Sequence, residues 1–135
     1  MIQLLLEQLK RHEGLRLKPY QCTADKRTIG YGRNLEDRGI TAEEAEYLLK
    51  NDIEWAVDTA QLCFANYERL SDVRKSVLAN MAFNLGLDRL KHFYKMRKCV
   101  ESDDFDGAAR EMLDSLWARQ VGRRANELAE LMREG

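Results

Sequence analysis

Three side chains near the start of the chain carry the makings of a hydrolytic reaction. They are Glu13, Cys22 and Thr28, separated by eight and then by five residues. Glu13 is a carboxylic acid that could deliver a proton. Cys22 is a polarisable group that could act as a base or as a nucleophile. Thr28 brings a hydroxyl that donates and accepts at once, and so could hold a water molecule. The last of the three opens the run Thr28-Ile29-Gly30-Tyr31-Gly32, which has strand-and-turn character. Acid, sulfur and hydroxyl on one short excursion suit the cleavage of a bond by water. Residue type alone leaves plainer readings open: Thr28 is also a good β-branched strand residue, and a free cysteine is commonly a small buried hydrophobe. The plainer reading is the one given to Cys63 and Cys99, which have no motif around them.

The elements that must position these groups follow from periodicity. Ile2, Leu5, Leu6 and Leu9 fall on one arc of a helix over Ile2 to His12, with Glu13 on the same arc and Gly14 placed to end it. Leu15 to Gly32 reads as short extended segments joined by a turn at Thr23 to Lys26. Thr41 with Glu44 forms a capping box before Ala45, Leu48, Leu49, Ile53 and Val57 at helical spacing. Ser71 caps another helix, carrying Val73, Val77, Leu78, Met81 and Leu85, that stops at Gly86. Further helical patterns cover Leu90 to Val100, Phe105 to Trp117 and Arg123 to Arg133. The fold class expected is mainly α, with a small β-hairpin near the N-terminus. Trp117 reads as a core anchor, and Trp55 and Phe64 as packing residues.

Composition bounds the class. The chain has 135 residues, 44% hydrophobic and 33% charged, which suits one ordinary globular domain. Its formal net charge of −1 offers no global basic field for nucleic acid. The acidic stretch Leu35–Asp58 and the basic stretches Arg89–Lys98 and Arg119–Arg124 read as solvated helix faces. One proline and eight glycines leave little room for linkers. The apolar run Ile2–Leu6 is too short and too soon charged to be a signal peptide or a membrane span, so the expectation is a cytosolic protein without stable membrane insertion. Three cysteines and two histidines, His12 and His92, lack metal-ligand spacing, so reduced thiols and no metal or cofactor are expected.

The pattern Glu13, Cys22, Thr28 and Ile29-Gly30-Tyr31-Gly32 resembles the phage-type lysozymes, endolysins of glycoside hydrolase family 24. The resemblance runs on through Gly14-Leu15-Arg16-Leu17-Lys18, Ile40-Thr41 with Glu44-Ala45-Glu46, and Ser71-Asp72-Val73-Arg74. It continues in Asn80-Met81-Ala82-Phe83-Asn84-Leu85-Gly86 and ends at Trp117 and Arg123-Arg124-Ala125. It implies one lysozyme-like domain over 1–135. A small β lobe with the active-site segment would cover 13–40, the helical lobe would cover 1–12 and 41–135, and the cleft would lie between them. It implies a muramidase that hydrolyses the β-1,4 bond between N-acetylmuramic acid and N-acetylglucosamine to lyse bacterial cells. The protein would act as a monomer on peptidoglycan strands and wait in the host cytoplasm until a holin or another route releases it to the wall.

By the same resemblance Glu13 takes the general-acid place and Thr28 that of the catalytic threonine. Cys22 stands where aspartate is usual, a variant known in the family. Asn84, Arg124, Gly30 and Tyr31 take substrate-binding places, with Arg124 approaching the acid. Two departures accompany it. The connection from Arg33 to Ile40 is short, as in a pared-down small lobe, and Arg33 replaces a histidine found in some members. Two other readings compete: a catalytically silenced peptidoglycan-binding relative, and a helical interaction domain using the basic helices. Retention of Glu13 and Thr28 argues against the first, and the near-neutral charge argues against the second.

Overall fold

A computed structural model describes all 135 residues, Met1–Gly135. The chain falls into two compact units, Met1–Tyr47 and Leu48–Gly135. The first holds helix α1 (Ile2–Glu13) and an antiparallel sheet of β1 (Arg16–Gln21), β2 (Arg27–Gly30) and β3 (Arg33–Asn34), in that order, followed by the first turns of α2 (Ala42–Cys63). In this structure α1 therefore groups with the strands.

Local chemistry fixes these boundaries. Gly14, at φ 71°, ends α1 and donates its N–H to the Lys10 carbonyl at 3.1 Å, because a glycine adopts the left-handed conformation without a Cβ penalty. Strands β1 and β2 pair Tyr20 with Thr28 and Gln21 with Arg27, and β2 and β3 pair Thr28 with Asn34 and Ile29 with Arg33. Pro19 is accommodated because β1 is an edge strand. The sequence reading expected a hairpin. Residues 33 and 34 instead turn back as a third strand, two residues long and so too short to show a period. At α2 the capping box is present as read: Glu44 N–H donates to Thr41 Oγ1 at 3.1 Å and Thr41 N–H to Glu44 Oε1 at 2.8 Å.

The second unit is built from the rest of α2, a 3₁₀ turn at Tyr67–Arg69, and α3 (Asp72–Lys91), α4 (Tyr94–Glu101), α5 (Phe105–Leu113), α6 (Leu116–Val121) and α7 (Arg123–Glu134). Its core is continuous, from Ala60 and Phe64 through Leu78, Met81, Met96, Val100 and Met112 to Trp117, Leu128 and Met132. Ser71 caps α3 through the Arg74 N–H, and Gly86, at φ 80°, interrupts that helix near its end. Two helices expected as single runs are each broken. Leu90–Val100 divides at His92–Phe93, where Arg97 donates to the carbonyls of Lys91 and Cys63. Phe105–Trp117 divides at Ser115, whose hydroxyl accepts from the Ala118 N–H and so starts a new helix. Trp117 and Phe64 are buried as packing residues, whereas Trp55 is 52% exposed, on a turn of α2 outside the core.

Arg74 ties α3 to the end of α7. Its guanidinium donates to the carbonyls of Met132 at 2.8 Å and Arg133 at 3.1 Å, and it lies 3.6 Å from the centre of the Phe105 ring. It thereby satisfies two carbonyls that the helix end leaves without partners. Arg74→Ala is expected to lower the unfolding free energy by about 1–3 kcal/mol. Arg74→Lys should recover only part of it, since an ammonium lacks the planar fork. Urea denaturation checks both, and an unchanged midpoint in Arg74→Ala would show that the latch carries no stability.

Candidate functional site

The three candidate groups lie in the first unit, Thr28 and Cys22 about the turn that joins β1 to β2 and Glu13 against the turn that joins β2 to β3. Glu13 is the last residue of α1 and is exposed at its end. The turn joining β2 to β3 passes close to its carboxylate. A Cβ built on Gly32 would stand 2.9 Å from Glu13 Oε2, nearer than real side chains approach, and Gly32 has φ +81°. The left-handed backbone favours glycine here, and a Cβ would make the Glu13 carboxylate shift. Gly30, at φ +72°, has open space around it and is a glycine for its backbone alone. Tyr31, between them, is exposed and takes Lys10 Nζ over its ring at 5.8 Å, which links the turn back to α1.

Thr28 is the one buried residue of Met1–Tyr47, at 3% exposure. Its hydroxyl donates to the Lys26 carbonyl at 2.8 Å. The same carbonyl accepts from the Cys22 N–H at 2.9 Å, and the Cys22 carbonyl accepts from the Asp25 N–H at 2.8 Å. Lys26 is therefore the hub of the turn, and Asp25, at φ 61°, makes its bend. The sequence reading located the turn but gave no sign that Lys26 joins the two candidates.

Cys22 is a partly exposed free thiol. Hydrogen bonds from the Lys26 and Ala24 backbone, and then from the Thr28 side chain, hold its pKa below the ordinary thiol value, because donors aimed at sulfur favour the thiolate. The single Thr28 proton thus serves the Lys26 carbonyl or the sulfur, one at a time. Burial raises the other two thiols: Cys63 despite the charges of Arg97 and Lys91, and Cys99 with help from Asp104.

The second unit holds Asn84 and Arg124. Asn84 Oδ1 accepts from the Trp117 indole N–H at 2.8 Å. An indole N–H only donates, so the amide must turn its oxygen inward and leave its Nδ2 to donate. Trp117 is at once a core anchor and the group that sets this amide. Arg124 donates to Asn80 Oδ1 from Nε at 3.0 Å and from Nη2 at 2.6 Å, and a cavity of about 740 Å³ is lined by both residues with Ile53 and Phe83. The sequence reading missed Asn80 as the partner of Arg124, since nothing in a spacing of 44 residues signals it. A second cavity, near 710 Å³, is lined by Asp88, His92, Glu111 and Trp117 among others. Both cavities belong to the helical unit, whereas the acid, thiol and buried hydroxyl belong to the first.

At neutral pH Cys22 is expected to react with iodoacetamide faster than Cys63 or Cys99, since only its thiolate is favoured. Thr28→Val should move the midpoint of that reaction to higher pH by removing one donor. Peptide mass spectrometry over a pH series reads both, and equal rates for Cys22 and Cys99 would show that the turn does not activate the thiol.

The Phage lysozyme family model matches residues 10–133. An endolysin of Acyrthosiphon pisum secondary endosymbiont phage 1 is 35% identical over 86% of this chain and 80% of its own length. A Dictyostelium discoideum protein named probable T4-type lysozyme 1 is 26% identical over the whole chain and 96% of its own length. That alignment extends over 164 positions, so this 135-residue chain lacks residues that the relative has. The pre-baseplate central spike protein Gp5 of Enterobacteria phage T4 is 26% identical over 97% of the chain but 28% of its own length. A match that takes in Glu13, the sheet and the helices through α7 shows that the chain belongs to the phage lysozyme family.

Proposed function

We propose that this chain is a muramidase that hydrolyses the β-1,4 bond between N-acetylmuramic acid and N-acetylglucosamine in peptidoglycan, and so lyses bacterial cells. The observation that carries the proposal is the Glu13 carboxylate seated against Gly32, on the hairpin that also bears Thr28 and Cys22, both hydrogen-bonded to the Lys26 carbonyl, in a phage lysozyme family chain.

The chemistry assigns each group a task. Glu13 gives its proton to the leaving glycosidic oxygen as positive charge builds at the anomeric carbon. Its exposed position lets it regain a proton from solvent after each cycle. Thr28 holds the attacking water by its hydroxyl oxygen, since its proton is spent on Lys26 or on the sulfur. The Cys22 thiolate takes a proton from that water, or attacks the anomeric carbon itself and is later released by water. In either course water supplies the new hydroxyl, and the proton given by Glu13 ends on the leaving sugar.

Asn84, presenting Nδ2, and Arg124 are the proposed sugar-binding groups of the helical unit, with Gly30 and Tyr31 serving in the first. The chain is proposed to act as a monomer, reaching the wall from the host cytoplasm through a holin or another route. No helix is long and apolar enough to cross a membrane. A silenced wall-binding relative is disfavoured by the retained acid and hydroxyl and by the activated thiol.

Glu13→Gln should keep the fold and lose about 10²–10⁴-fold in lytic rate, because the amide has no proton to give. Cys22→Asp should remain an active lysozyme, and Cys22→Ala should fall at least about tenfold, since a methyl group neither accepts a proton nor attacks carbon. Turbidity loss of permeabilised Gram-negative cells measures all three. Near-normal lysis by folded Glu13→Gln would remove the acid from the mechanism, and full activity in Cys22→Ala would make the thiol a bystander.

A further inference from the structure

Arg33 stands beside the proposed site without touching its three reacting groups, and its side chain makes the most complete ion pair of the molecule. Nη1 and Nη2 donate to Glu44 Oε1 at 2.8 Å and Oε2 at 2.7 Å, a bidentate fork, and Nη1 also donates to the Gly39 carbonyl at 3.1 Å. The same Glu44 Oε1 accepts from the Thr41 N–H, so one carboxylate closes the α2 cap and grips Arg33. The guanidinium, followed by the Thr41 backbone, holds the Glu44 carboxyl down at about 2. The pair is therefore fully formed above the ordinary carboxylate range and is lost only as pH falls through about 2.

The backbone of Arg33 carries that grip to the site. Gly32, which leaves room for the Glu13 carboxylate, is its immediate neighbour. Arg33 pairs with Ile29, and the following Asn34 pairs with Thr28. A strand of two residues has few hydrogen bonds of its own to hold its register. A second clamp keeps the segment closed, since the Arg27 N–H donates to Glu36 Oε1 at 2.9 Å and the Leu35 N–H to the Arg27 carbonyl at 2.8 Å. Those bonds fix the far end of the strand and leave the end beside Gly32 to Arg33.

We infer that Arg33 and Glu44 are positioning residues: their fork holds β3 against the first turn of α2 and so sets the separation of the Glu13 carboxylate from Thr28. The inference rests on the catalytic roles proposed above. Arg33 acts through Gly32 and Thr28 and touches no substrate atom. A side chain that merely added stability would lower the folded fraction, while a positioning residue changes the turnover of molecules that remain folded.

The test is a double-mutant cycle of Arg33→Met and Glu44→Gln on soluble peptidoglycan fragments, well below each variant's melting temperature. The Thr28 and Gly32 amide resonances are followed alongside. Each single variant should lose about tenfold or more in kcat with KM within about twofold, and the double variant should be no worse than the worse single one. The two amide resonances should move in every variant. Arg33→Lys, which keeps the charge but not the fork, should fall between wild type and Arg33→Met. It also carries the test should Arg33→Met fail to fold.

Additive losses, losses confined to KM, or unmoved Thr28 and Gly32 resonances would overturn the inference. An inactive wild type would instead refute the proposed function. The resonances would then decide the positioning claim alone, with movement supporting it and constancy overturning it.

Discussion

The close passage of the β2–β3 turn beside the Glu13 carboxylate is the contact on which the proposed site depends. A carboxylate at a helix end has no intrinsic reason to face a strand carrying a hydroxyl. Here α1 is stopped by Gly14, the chain reverses through β1 and β2, and the turn passes against the Glu13 carboxylate at a residue without a side chain. A Cβ there would push the carboxylate out of place, and the left-handed backbone would be strained as well. The rest of the first unit supports that passage. Thr28 is buried at the centre of the sheet, Lys26 joins it to Cys22, and the Arg33–Glu44 fork fixes the returning strand. The unit has no buried apolar residue, so hydrogen bonds and glycine conformations define its geometry.

The helical unit works by the opposite means. Its core of methionine, leucine, alanine and aromatic side chains is continuous, and its polar groups are oriented by it. Trp117 shows the coupling most clearly: the ring packs in the core while its N–H fixes the Asn84 amide. Asn80, itself exposed, holds Arg124 by hydrogen bonds outside the core.

Much of this was legible in the residues, for identifiable reasons. The capping box at Thr41 and Glu44 and the cap at Ser71 appear as read, because side-chain capping is local chemistry. Gly14 was legible as a helix end, and Gly30 and Gly32 as parts of a strand-and-turn run. What they make room for was not, since the Glu13 contact depends on how α1 and the hairpin meet. The breaks at His92–Phe93 and Ser115 were missed because apolar periodicity continues across them. The capping hydroxyl of Ser115 and the Arg97 bonds override it. Strand β3 was hidden by its length. Glu13 continues the apolar arc of α1, yet α1 buries none of its residues and Glu13 is exposed. The long-range partners, Arg33 with Glu44 and Arg124 with Asn80, leave no trace in spacing.

The central claim is that water is added across the muramyl bond. It is tested most directly by digesting purified peptidoglycan with the protein in ¹⁸O-water and identifying the new end by mass spectrometry. Hydrolysis of that bond predicts a reducing N-acetylmuramic acid carrying one heavy oxygen at its anomeric carbon. A 1,6-anhydro end, a new reducing N-acetylglucosamine, or cleavage confined to the peptide stems would contradict it.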